Sequence, residues 1–198
     1  MKNTKIRWVY AAGAAVACAG VIVTSALAAN ADTRPAAQPP AALSAAAAST
    51  QPDVLGDVID TGSGGWVLYA KAVDIAALPD IHFGIMAGHK SADGTLTDSV
   101  MANEVEGADR APGFHAVQGS MNVDGKQTPT FGYYVGSAAK ITGTAKGKTV
   151  TAGQATWSED PSVKVFWFDP AVSGVGHLAA YGADGKKLTT GNSGIGVG

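Results

Sequence analysis

The chain has 198 residues, 15% of them charged, and a formal net charge of −2. Its 46% apolar content overstates the core, because residues 11–50 alone hold 18 alanines. One cysteine excludes a disulfide scaffold, and low charge with 26 glycines excludes a coiled coil, a charge-rich disordered chain and a multi-span membrane protein.

Lys2, Lys5 and Arg7 precede an uncharged stretch from Trp8 to Ala31. A basic start followed by an apolar run is the layout of an export signal. Ala26-Leu27-Ala28 and Ala29-Asn30-Ala31 each offer small residues at the cleavage spacing, so a mature chain is expected to begin at Ala29 or Asp32. The rival reading is a retained anchor over residues 8–29, since the run is almost long enough to span a bilayer. With Lys and Arg on its N-terminal side only, the rest of the chain faces outside in either case. Cys18 reads as a small buried hydrophobe within the run. Cleavage leaves no cysteine, which removes disulfides, thiol catalysis and Cys-based zinc sites. Beyond residue 31 stand 11 Lys and Arg against 16 Asp and Glu, a net −5. No basic patch remains for nucleic acid or anionic lipid, so membrane contact is expected only through the N-terminal segment.

Residues 32–52 contain four prolines, two charges and no aromatic residue. Such a segment cannot bury enough apolar surface to offset the entropy of ordering, so 32–53 is expected to be a disordered linker. A folded domain is expected over 54–198, with Asp60–Gly65 as a flexible entry. The predicted strands follow in order: Trp66–Val73, His82–His89, Phe114–Gln118, Ser120–Val123, Phe131–Val135, Ile141–Thr144, Thr149–Trp157, Val163–Phe168 and Leu178–Tyr181. They are short, β-branched or aromatic, and bounded by Gly, Pro, Asp or Ser. Ile75–Leu78 suits one helical turn, and no longer window has helical periodicity. Asp-Gly at 93–94, 124–125 and 184–185 signals three hairpins with type I′ turns, hence antiparallel pairing. Their resemblance to one another reflects turn chemistry rather than a repeat. The expected fold class is all-β: an antiparallel β-sandwich of about seven to nine strands.

Val163–Phe168, followed by Leu178–Tyr181 and the Asp184-Gly185 turn, resembles the closing strands of bacterial immunoglobulin-like domains. The whole chain looks like secreted or membrane-anchored proteins of actinobacterial type, with an Ala-rich signal, an Ala/Pro linker and a cysteine-free β domain. The resemblance implies location and an immunoglobulin-like architecture, and it implies no activity.

Glu104, Glu106 and Asp109 lie just before His115, with Arg110 among them. On an extended segment Glu104 and Glu106 share a face, and a carboxylate pair near a histidine could serve as acid and base or hold a cation. The alternative is a solvated loop in which Arg110 pairs with Asp109 or Glu106. His82 and His89 are seven apart, on opposite faces of a regular strand, and no metal-ligand spacing exists, so neither metal nor cofactor is expected. No G-x-S-x-G is completed around Ser63 or Ser120. Alternation along Val163–Phe168 leaves apolar side chains on both faces. Either this is a central strand covered on both sides, or Phe166, Trp167 and Phe168, with Trp66, Tyr133 and Tyr134, form an exposed patch that binds a polymer, glycan or protein. The leading expectation is an exported, non-enzymatic binding module whose partner is an extracellular or envelope protein or glycan. The alternative is a secreted hydrolase or cation-dependent enzyme using Glu104, Glu106 and His115.

Overall fold

The computed structural model describes residues 53–196; the expected signal or anchor, Cys18 and all of the expected linker except Asp53 lie outside the described residues. The regular structure among the described residues is entirely β. In chain order the strands are β1 Val54–Asp60, β2 Trp66–Ala72, β3 Phe83–Lys90, β4 Leu96–Asn103, β5 Gly113–Gln118, β6 Asn122–Val123, β7 Lys126–Gln127, β8 Thr130–Val135, β9 Lys140–Ala145, β10 Lys148–Thr151, β11 Gly153–Thr156, β12 Val163–Phe168 and β13 Gly176–Tyr181. Among the described residues no helix is long and apolar enough to cross a membrane.

Every strand pair is antiparallel. The sheets run β1-β2-β3-β4, β11-β12-β8-β5 and β10-β9-β13, with β6-β7 a small separate hairpin. The period of two along β12 explains how they are layered. Val163, Val165 and Trp167 join Phe131, Tyr133 and Val135 of β8 in one core with Trp66, Leu68, Phe83 and Ile85 of the β1–β4 sheet. Phe166 and Phe168 join Tyr134 and Phe114 in a second core with Ile141, Leu178 and Ala180 of the third sheet. The sheet containing β12 is therefore covered on both faces, which is why its strands carry apolar residues at successive positions. Three indole N–H groups tie the edges of the first core: Trp66 donates to the Gln127 carbonyl (2.9 Å), Trp157 to Leu55 (3.0 Å) and Trp167 to Thr61 (3.1 Å).

The expected all-β antiparallel class stands, with four differences in detail. Thr149–Trp157 is two strands: β10 pairs with β9, β11 pairs with β12, and the chain changes sheet at Ala152. The expected Ser120–Val123 strand shrinks to the two residues of β6. Strands β1 and β4 are not among the expected strands, and β1 is interrupted by a bulge at Gly56 (φ 72°). The supposed flexible entry is the tight β1–β2 connection, closed by the Thr61 amide on the Trp66 carbonyl (3.2 Å). In an immunoglobulin domain the two closing strands share a sheet; here β12 and β13 lie in different sheets.

All three Asp-Gly pairs do turn the chain, by two geometries. Asp124 and Gly125 both have positive φ (50° and 78°), as a type I′ turn requires. At Gly94 and Gly185 only the glycine is positive (90° and 75°), the signature of a three-residue loop with a glycine bulge. The β9–β10 hairpin turns on Lys146-Gly147 (49° and 73°), a type I′ pair without the Asp-Gly signal.

Candidate functional site

The strand β5 lies beside β8 and carries a bulge. Its register with β8 slips between His115 and Gln118, and Ala116 takes a positive φ of 48°. The slip frees the Ala116 N–H from the ladder, and a buried amide needs an acceptor. Glu104, in the segment after β4, supplies it: its Oε1 accepts from the Ala116 amide at 2.6 Å. The same oxygen faces His115 Nδ1 at 3.4 Å, an ion-pair distance off hydrogen-bond geometry. Glu104 Oε2 accepts from the Asn192 side-chain amide at 3.0 Å. Glu104 and His115 are both almost wholly buried, at 2% and 4% exposure.

His115 is fixed on three sides. Its Nε2 donates to the Ala111 carbonyl at 2.5 Å, and since a carbonyl only accepts, Nε2 carries a proton. Its ring lies on Tyr133, with centroids 5.0 Å apart and planes 12° apart. Burial pushes the imidazole pKa down, but Glu104 and the Ala111 carbonyl more than offset this and raise it above its ordinary value. Burial likewise pushes the Glu104 carboxyl up, yet His115, the Ala116 amide and Asn192 together hold it below the usual range. Each partner therefore favours the charged form of the other.

Asp109 is also buried, but it faces a different neighbour. It accepts the His82 amide at 2.8 Å and lies 3.3 Å from His82 Nδ1. Arg110 lies between two carboxylates: its Nη1 is 4.0 Å from Asp109 Oδ1, as the loop reading expected, its Nε meets Asp160 at 3.0 Å, and its guanidinium lies 4.4 Å from the Phe83 ring centre. Glu106 is exposed, so Glu104 and Glu106 do not share a face; the chain has left the strand at Asn103. Glu104, Glu106 and His115 nevertheless all border one open depression of about 390 Å³, completed by residues including Pro112, Gly191 and Asn192. Asp109 is not part of it.

The six aromatic candidates do not form a surface patch. Trp66 and Tyr133 are buried and Trp167 half-buried in the first core, against the β1–β4 sheet, while Tyr134, Phe166 and Phe168 are buried in the second, where the third sheet covers the other face. Among the described residues no group of three His, Cys, Asp or Glu side chains could hold a metal ion.

The sequence reading did not single out Asn192, Gly191 and Gly113. A Cβ on Gly113 would stand 2.5 Å from the Gly191 Cα, so the last described segment passes β5 at glycine-only distance. No local signal links Asn192 to Glu104, 88 residues away. No protein-family model, curated protein or solved structure matches the chain.

Proposed function

We propose that the chain is an exported, non-enzymatic binding or interaction module acting outside the cytoplasmic membrane on an envelope protein or glycan. The observation that carries this is the occupancy of the candidate acid–base groups. Both Glu104 oxygens are engaged, by the Ala116 amide, by His115 and by Asn192, and the His115 Nε2 proton is held by Ala111. A general base must reach the substrate proton it removes. Here the carboxylate and the imidazole are turned to each other and to the backbone, and they act as ties.

The N-terminal segment supplies the address: a signal over 1–31, or an anchor over 8–29, followed by a linker to residue 53. At the finer level we read the layered sheets as an elaborated β-sandwich rather than an immunoglobulin domain, because the third sheet covers a face that such a domain leaves open. The second reading, a hydrolase, draws on the common depression bordered by Glu104, Glu106 and His115.

The purified full chain, assayed on ester, peptide and glycoside substrates beside Glu104→Gln, separates the two. The module reading expects no turnover that depends on Glu104. Turnover abolished by Glu104→Gln in a folded protein replaces the module with the hydrolase.

A further inference from the structure

Charge is divided unevenly over the described residues. Residues 139–151 and 176–188 hold β9, β10, β13 and their turns. They carry Lys140, Lys146, Lys148, Lys186 and Lys187 against Asp184 alone, a net +4. The rest of residues 53–196 carries 5 Lys and Arg against 14 Asp and Glu, a net −9. The chain-wide charge thus conceals a basic third sheet on an acidic body, and a patch exists where the net count showed none. All five lysines are exposed, and Lys186 Nζ lies 3.1 Å from Asp184.

Strand register gathers part of this charge on one flat face. Ile141, Ala145, Val150, Leu178 and Ala180 enter the second core, so the residues alternating with them face outward. Facing residues of antiparallel strands share a side of the sheet. One outward row is therefore Lys187–Tyr181–Lys140, with the Lys140 ammonium 5.2 Å from the Tyr181 ring centre. The next row is Ala179–Thr142–Thr151, and beyond the β13 bulge comes Gly176–Thr144–Thr149. Thr142, at the centre, is buried, while Thr144 is half-buried and Thr149 and Thr151 are exposed. These three rows carry hydroxyl and ammonium groups and no carboxylate. The exposed large apolar side chains among the described residues, Ile75 and Val105, lie elsewhere.

We propose that the outer face of the β10-β9-β13 sheet binds a linear anionic glycan, its anionic groups at Lys140 and Lys187 and its hydroxyls at the threonine rows. This inference rests on the binding-module reading and names its ligand class. Charge complementarity carries it: a polyanion is drawn to the basic face and repelled by the acidic body. Threonine hydroxyls both donate and accept, as sugar hydroxyls do. The face lacks the large aromatic or arginine anchors on which protein interfaces centre. It also lacks apolar side chains to enter lipid. Its one ring, Tyr181, is half-buried with Lys140 over it, so it offers no stacking platform for bases. A second copy could bring its acidic body to this face, but contact between two unlike surfaces runs on into open fibres unless its rotation closes a ring.

The test is titration calorimetry of the full chain with polygalacturonate, neutral dextran and poly-L-glutamate at low salt. Polygalacturonate is expected to bind, more weakly as salt screens the lysines, and dextran is not. Lys140→Gln combined with Lys187→Gln weakens polygalacturonate at least about tenfold, while Lys126→Gln on the β6–β7 hairpin leaves it within about twofold. Thr144→Val combined with Thr149→Val keeps the β-branched shape and removes two hydroxyls. It weakens polygalacturonate about threefold and leaves poly-L-glutamate unchanged. All these positions lie outside the cores, so the variants fold. Absent polygalacturonate binding, equal binding of dextran, or binding that survives loss of both lysines overturns the proposal. Equal affinity for poly-L-glutamate with no response to the threonine changes makes an acidic protein segment the ligand and overturns the glycan assignment. Salt-sensitive self-association lost with the two lysines makes a second copy the occupant and overturns it too. Failure of the polymers leaves the binding-module reading standing, whereas Glu104-dependent turnover removes that reading whatever the polymers do.

Discussion

Strands β5 and β12 flank β8 in the same sheet, yet they are held in opposite ways. β12 is gripped through side chains: Val163, Val165, Phe166 and Phe168 enter two cores, and its ladder with β8 is unbroken over six residue pairs. β5 has a broken ladder, a positive-φ alanine, a buried Glu104–His115 ion pair and a parallel glycine-rich strap, residues 190–196, along its other edge. Burial of apolar area is non-directional and tolerates small displacements. A buried carboxylate with named donors does not, because each unmade bond leaves a desolvated polar atom. The β5 edge is thus where a small change in one partner is expected to alter local order, while the centre of the sheet responds only with the whole fold.

The largest expected effect breaks the β12 side. Phe166→Ala removes a fully buried ring from the second core and costs about 3–5 kcal/mol, read as a fall in the urea midpoint. Glu104→Ala breaks the β5 side. It strands His115 and the Ala116 amide and costs about 3 kcal/mol in the same measurement. Trp167→Ala is milder than a fully buried tryptophan implies, at about 2 kcal/mol, because the indole is only half-buried and its main losses are packing on Gly153 and the bond to Thr61. A Trp167 loss as large as that at Phe166 contradicts the two-core division.

The smallest expected effect is on pH dependence. His115 has a raised folded pKa, so its stabilisation is complete below its ordinary value of 6.5 and fades as pH rises through the raised value. Glu104 has a lowered folded pKa, so its contribution is complete above its ordinary value of 4.5 and fades as pH falls through the lowered value. The midpoint difference between wild type and His115→Gln therefore shrinks as pH rises past the raised His115 value. A difference that stays constant there sinks the ion-pair account.

The same contrast explains what the sequence made legible. Val163–Phe168 and Phe131–Val135 are recognisable as strands because their aromatic and β-branched residues respond to burial directly, position by position. Strand β4 is hidden because its edge position tolerates Thr97, Asp98 and Ser99. The third sheet escaped because pairing partners are not encoded locally: Thr149–Trp157 reads as one run although Ala152 separates two sheets. For the site, the sequence brought Glu104, Glu106 and His115 together in one neighbourhood, but it gave Glu104 and Glu106 a common face that the end of β4 removes. Asn192 and the Gly113–Gly191 approach depend on contacts 78 to 88 residues apart, and neither leaves a local pattern.

The central claim is that Glu104 is a tie that seats the strap on β5. Amide hydrogen exchange in folded Glu104→Gln tests it most directly. A hydrogen bond to a charged group contributes about 1.5–3 kcal/mol, so weakening it lowers protection at Asn192 and Gly196 by about tenfold or more. The account predicts that fall at the strap with protection unchanged at Tyr133 and Val165. Unchanged protection at Asn192 and Gly196 would contradict it.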